Sequence, residues 1–274
     1  MTVTNAVETT MIWGTVSGAS MVGMVISLLL SVVLPIFLGI FIYKKTKAWV
    51  PAFFIGCGIF VGFAMILEQI CHAIVLTVTG SAIRDNIWLY AIYGGLAAAL
   101  FEECGRWIAM TFCLKKHLTR ENALMYGAGH GGIEAFLILG MSSMSNLLTA
   151  AMINGGLMEK TMTALEPAQQ EVTYHQLSVL WTTPAYQFYL APVERISAIA
   201  LQIALSILVY SAVKTGRKLH LAAAFGLHFA VDFLTVICAA AIPTWVLELG
   251  LLLVVAVICV VVYQLVYVQM AEKK

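Results

Sequence analysis

The sequence predicts an all-α fold, a polytopic bundle of about seven transmembrane helices. Three observations predict it. Of 274 residues, 61% are hydrophobic and only 11% charged, where a soluble globular domain carries about 25% charged residues. Seven apolar stretches reach the roughly 20 residues that a helix needs to cross the hydrocarbon core of a bilayer. Lysine and arginine, finally, gather in alternate connections between those stretches.

The stretches lie near 18-43, 49-78, 87-114, 121-146, 186-213, 219-241 and 244-270. Pro35, Pro184, Pro192 and Pro243 are expected to kink a helix or mark its edge. Between the fourth and fifth spans, roughly 147-185, the chain carries Glu159, Lys160, Glu166 and Glu171 and then LSVLWTTPAY, whose apolar residues suit a segment resting at the membrane interface. With no internal repeat, heptad seam or low-complexity tract, residues 1-274 read as one transmembrane domain.

Seven spans place the termini on opposite sides. Lys44, Lys45 and Lys47 lie in the first connection, Lys115, Lys116 and Arg120 in the third, Lys214, Arg217 and Lys218 in the fifth, and Lys273 and Lys274 at the C-terminus. The other connections hold only Arg84 and Lys160, so the positive-inside rule puts the N-terminus outside and the C-terminus in the cytoplasm.

Composition also narrows the partners. A net charge of +1 gives no electrostatic footprint for nucleic acid, which leaves the lipid bilayer as the environment. All six cysteines fall inside apolar stretches without CxxC spacing and read as small packing residues. The opening MTVTNAVETTMIW lacks the basic region of a secretory signal, so no cleaved leader is expected.

Ionisable groups inside the spans carry the functional signal. A charge at the middle of a span costs on the order of 3 kcal/mol even on the lenient insertion scale. The second span has Glu68 and His72, the third Glu102, Glu103 and Arg106, the fourth His130 and Glu134, the fifth Glu194 and Arg195, and the sixth His228 and Asp232. Such groups must face one another or a water-filled cavity.

Spacing says which can meet. Glu102 with Arg106, His130 with Glu134, and His228 with Asp232 are each four residues apart and share a helix face. Counted from the lysine-rich ends, Glu102, His130 and His228 stand at comparable depths, so three helices can present them to one point, expected to open toward the cytoplasmic half. Glu68, His72 and Glu194 fall nearer the outer half, as supporting groups. Around His130 runs YGAGHGGIEAF, whose glycines suit either tight helix packing or close approach of a substrate or water to the histidine.

No HExxH zinc helix, GxSxG elbow, rhomboid serine setting or GxGD occurs, and neither a GxxxxGK[ST] nor a GxGxxG phosphate-binding loop is expected. Carboxylate and imidazole chemistry in a lipid-shielded pocket remains.

Glu102-Glu103-x-x-Arg106 on one span, the glycine-rich His130 motif with Glu134 on the next, and His228-x-x-x-Asp232 on a later one resemble the YhfC family of membrane peptidases, itself similar to the CAAX-processing and PrsW-type proteases. The resemblance runs from the third to the sixth span, with Glu194-Arg195 part of the same pattern. It implies an intramembrane endopeptidase of the bacterial plasma membrane that hydrolyses a membrane-associated protein or peptide. It further implies Glu102 as the general base that activates water, His130 as the group that helps hold that water, and His228 as the stabiliser of the oxyanion. Two departures stand out. The CAAX-type pattern usually places three residues between the acidic pair and its arginine, and here only Cys104 and Gly105 intervene. The last motif there often ends in asparagine, whereas Asp232 as a carboxylate only accepts hydrogen bonds, so its expected role is to orient His228.

Elementary chemistry points the same way. Adjacent carboxylates in low dielectric resist double ionisation, so Glu102 and Glu103 are expected to titrate as a set, eased by Arg106. Glu103, Arg106, Glu134, Asp232 and Glu194 are the supporting residues. This glutamate-type reading uses no cofactor. The alternatives are a zinc metalloprotease with His130, His228 and Glu102 as ligands, and a transporter or proton-coupled carrier whose buried groups form a relay. Against the carrier, no repeated half with matched broken helices is evident.

Overall fold

The computed structural model describes residues 11-270, so Lys273 and Lys274 and the first ten residues lie outside it. Among the described residues the secondary structure is helical with no strand, and seven helices are long and apolar enough to cross a membrane. These are α1 (Gly18–Thr46), α2 (Pro51–Thr79), α3 (Ile87–Cys113), α4 (Arg120–Asn154), α7 (Ala185–Thr215), α8 (Lys218–Ala239) and α9 (Thr244–Tyr267). Between α4 and α7 lie two helices that do not span, α5 (Leu157–Met162) and α6 (Pro167–Thr182).

Local chemistry sets the ends. Ser17, Asn86 and Thr119 cap α1, α3 and α4 by accepting the backbone N–H of Ser20, of Trp88 and Leu89, and of Asn122. Proline starts α2 and α6 at a position whose N–H has no helical partner in any case. Gly216 closes α7 at φ 72°, a conformation open to glycine, and lets α8 begin two residues later. Pro184 and Pro243 mark helix edges as expected, whereas Pro35 and Pro192 sit inside α1 and α7. Membrane helices tolerate such prolines where neighbours satisfy the freed backbone.

The fourth span runs to Asn154, about two turns beyond the expected stretch, because Leu147, Leu148, Ala150, Ala151, Met152 and Ile153 continue the helix past the polar Ser145 and Asn146, where the sequence reading placed its edge. The segment after it, expected to rest at an interface, folds as the helix α6. Its Trp181 and Tyr174 rings pack with Trp13.

Helix α7 is the axis of the bundle. In its most apolar window 72% of residues are buried, against 11–33% in the other spans. It packs on α4, α9, α1 and α8, while α4 lies between α2, α7 and α1, and α8 lies against α3. Glycine allows these contacts. A Cβ at Gly129 would run into the Phe53 carbonyl of α2, and one at Gly56 of α2 would run into the Tyr126 carbonyl of α4. Gly127 and Gly131 face the Ile203, Gln202 and Ile199 backbone and side chains of α7, and Gly132 faces Pro35 of α1. Small residues let membrane helices approach until van der Waals contact replaces the missing hydrophobic drive.

Candidate active site

Helix α3 carries Glu102, Glu103 and Arg106, all at 7% exposure or less. Within the lipid-shielded bundle they meet side chains from α4, α7 and α8. Glu102 Oε2 is the common point: the His130 Nε2 lies 2.9 Å away and Gln202 Nε2 donates to it at 2.8 Å. Arg106 Nη2 and His228 Nε2 stand 3.9 and 4.0 Å from the same oxygen. The three residues singled out by depth and spacing, Glu102, His130 and His228, are thus brought to one place.

The imidazoles are held from behind. The ring Nδ1 of His130 lies 3.4 Å from the Tyr126 hydroxyl, one helical turn earlier on α4. His228 Nδ1 lies 2.8 Å from Glu103 Oε1, which also accepts from Arg106 Nη1 at 2.6 Å. Against an ionised Glu103 the Nδ1 of His228 carries the proton, and Nε2 faces Glu102. Asp232 Oδ2 stands 3.6 Å from that Nε2, outside hydrogen-bond range. The hydrogen-bond contact to His228 therefore comes from Glu103, and Asp232 flanks the ring on its Nε2 side, a different placement from the one expected of it.

Glu134 extends the cluster toward the opposite end of the bundle from the lysine-rich turns. Its Oε2 accepts from Gln202 Nε2 at 2.7 Å and its Oε1 from Arg195 Nη1 at 3.2 Å. Arg195 also donates to Glu194 through Nε at 2.7 Å and through Nη2. Arg106 Nη2 donates to Gln202 Oε1, so the whole Gln202 side chain is engaged by Glu102, Glu134 and Arg106. Glu68 and His72 border this centre without a hydrogen bond to it among the described residues; they pair with each other at 3.3 Å, and His72 Nδ1 lies 2.7 Å from the Tyr93 hydroxyl. Glu103 Oε2 and Arg106 Nε are buried without a hydrogen-bond partner among the described residues.

Over residues 30–259 the chain matches the family model described as YhfC intramembrane metalloprotease. The chain belongs to the YhfC family. It is 41% identical over 222 residues to the uncharacterized membrane protein YhfC of Bacillus subtilis (strain 168), covering 78% of this chain and 83% of that one. No solved structure matches it. Seven apolar helices and a membrane-protein relative make it an integral membrane protein, and the Bacillus relative agrees with the bacterial setting.

The metal in the YhfC family description can be tested against the side chains. Among the described residues no three His, Cys, Asp or Glu groups are already gathered as a ligand set. The donor chemistry nonetheless fits zinc: two imidazoles turn Nε2 toward one carboxylate oxygen, and each far ring nitrogen meets an outer partner, Glu103 or Tyr126. A hydroxyl both donates and accepts, so Tyr126 supports His130 with the proton on either nitrogen.

Three sequence readings change. His130 is fully buried and its glycine neighbours are spent on helix contacts, so the motif serves packing and does not expose the histidine. The run from Gly127 to Gly132 has the spacing GxGxxG, but it lies inside a membrane helix, where no strand–helix turn exists to cradle a pyrophosphate. The cavity next to the centre is bounded by Gln69 and His72 of α2, Tyr93 and Gly94 of α3, Arg195 of α7 and Asp232 of α8. All lie between the centre and the turn at 80-86, so the expectation of an opening toward the lysine-rich, cytoplasmic half is corrected. Residue depth locates a side chain along the helix and says nothing about which end is left unfilled.

Pattern reading passed over Gln202 and Glu248. Gln202 is uncharged and lacks an i,i+4 acidic or histidine partner. Its signal was a primary amide in the interior of the apolar run that follows Arg195. Glu248, buried in α9 at 8% exposure, is a carboxylate in the apolar seventh span.

Proposed function

We propose that this protein is an intramembrane endopeptidase that cleaves a membrane-associated protein or peptide by water activated at Glu102. The observation that carries this reading is the convergence of His130, Gln202, Arg106 and His228, from four helices, on the single oxygen Glu102 Oε2. A carboxylate fixed in a site shielded from bulk water is a competent general base once a water lies within hydrogen-bond reach. Glu102 takes the water's proton as its oxygen attacks the scissile carbonyl. His130 fixes the orientation of that carboxylate, and His228, held through Nδ1 by Glu103, directs Nε2 to the oxygen that becomes negative. Proton return from Glu102 to the departing amine completes hydrolysis.

A second reading has its own support in the outer partners of the two rings and in the family's description. His130 Nε2, His228 Nε2 and Glu102 would hold a zinc ion, which would supply Lewis acidity at the scissile carbonyl. Both readings place the reaction at the same three residues.

The test uses purified protein in proteoliposomes with a membrane-anchored reporter. Glu102→Gln and His228→Ala are expected to lower the cleavage rate by about 10²–10⁴-fold, with the helical signal unchanged; parental rates would overturn the assignment. Metal analysis of active, chelator-treated protein separates the readings: retained activity without metal favours Glu102 as base, and loss restored by added zinc favours the metal.

A further inference from the structure

The centre is nearly closed. Glu102 and His228 keep 7% and 3% of their surface, and His130 none. A peptide must nonetheless reach them. The cavity bounded by α2, α3, α7 and α8 has a volume of about 460 Å³, within the roughly 300–1,000 Å³ of small ligand sites. Two of its wall residues touch the reactive network directly: Asp232 stands 3.6 Å from His228 Nε2, and Arg195 donates to Glu134. Gln69, His72 and Tyr93 line the side away from the centre with hydrogen-bonding groups, as an unwound main chain requires and a lipid tail does not.

The adjoining glycines of α3 have different surroundings. Gly95 is buried, and a Cβ there would meet Phe229 and the Phe233 backbone, so it seats α3 against α8. Both glycines line the cavity, but a Cβ at Gly94 would meet nothing within 4 Å. Helix packing does not require glycine at 94. At this wall of the cavity a larger residue has room to occupy space that glycine leaves free.

We infer that this cavity is the cleft through which an extended segment of a membrane-anchored substrate reaches Glu102, from the end of the bundle opposite the lysine-rich turns, and that Gly94 keeps the cleft open. The inference rests on the peptidase reading. It adds the side from which substrate arrives and a residue that controls passage. With the N-terminus outside, the arrival side is the outer face.

Two measurements test it. Gly94→Cys is treated with a membrane-impermeant maleimide in vesicles of each orientation, and the adduct is located by peptide mass spectrometry. Ser81→Cys in the 80-86 turn and Lys116→Cys in the lysine-rich turn calibrate the two faces. Labelling in the orientation that labels Ser81→Cys is expected; labelling with Lys116→Cys, or from neither side, overturns the inference without reference to catalysis. Gly94→Phe should also cut reporter cleavage about tenfold or more by displacing the scissile bond. Gly226→Phe, on an exposed face of α8 with open space around it, should cleave at the parental rate. If Gly94→Phe fails to accumulate in the membrane, Gly94→Leu takes its place. Parental cleavage by the filled variant, with Glu102→Gln inactive, overturns the cleft and leaves the peptidase reading standing. Parental cleavage by Glu102→Gln overturns the role given to Glu102, and loss of reporter cleavage in the parent protein itself sinks the peptidase reading, while the labelling still decides whether the cleft is open.

Discussion

Gln202 and Glu102, a hundred residues apart in the chain, are joined by a 2.8 Å hydrogen bond from the amide nitrogen to the carboxylate. The second N–H of the same amide goes to Glu134 and its oxygen receives Arg106. Gln202→Leu would keep the bulk and strip three charged groups of a partner, each such bond contributing about 1.5–3 kcal/mol. Thermal unfolding in detergent should fall clearly, and reporter cleavage with it. Gln202→Glu should be worse than Gln202→Leu, since it sets a third carboxylate between two others; equal or better stability for Gln202→Glu would contradict the bonding described.

Glu103 and Asp232 are separable by their distances to His228. Because Glu103 holds Nδ1 at 2.8 Å and Asp232 lies 3.6 Å from Nε2, Glu103→Ala should reduce turnover about 10–100-fold, as loss of an outer hydrogen bond to a working histidine does. Glu103→Gln, which keeps an acceptor oxygen, should recover part of it. Asp232→Asn should cost less than Glu103→Ala. The reverse order in kcat would show that Asp232 is the orienting group.

Arg195 neutralises Glu134 inside the bundle. Breaking a buried pair from one side leaves an uncompensated charge and costs about 3–5 kcal/mol. Arg195→Met should therefore destabilise strongly, and the double variant Arg195→Met with Glu134→Gln should regain the share owed to Glu134, with Glu194 still lacking its partner. A double-mutant cycle on melting temperature measures this; simple additivity would mean that the two side chains do not interact.

Gly129→Ala adds one methyl group where the Phe53 carbonyl already sits. Overpacking of this kind costs about 1–3 kcal/mol. Gly58→Ala, with nothing near its Cβ, should melt at or slightly above the parental temperature. Similar melting of the two variants would refute the close seating of α4 on α2.

The seven spans were legible because lipid imposes a length and an apolarity that composition records directly. The meeting of Glu102, His130 and His228 was legible because charges inside a span are too costly to be left scattered, and the helical period tells which ones share a face. Gln202 was not, since a neutral amide leaves little trace in a hydropathy profile even when three charged groups depend on it. The glycines around His130 were open to two readings until their neighbours were known: only the Phe53 carbonyl, the Gln202–Ile203 backbone and Pro35 distinguish packing from access. The direction of the cavity was misread from Glu102 and His130 for a related reason, that empty space is a property of what several helices leave unfilled at Gly94 and Asp232.

The three-sided seating of α4 sets a limit on how this chain can change in length. One residue inserted between Gly127 and Gly132 would turn the C-terminal remainder of the helix by roughly 100°, carrying glycines off the backbones of α1 and α7 at once and swinging Glu134 away from Arg195. Insertions and deletions there are incompatible with the bundle even when every substituted residue is apolar. The 80-86 turn, by contrast, can lengthen without altering a single helix register.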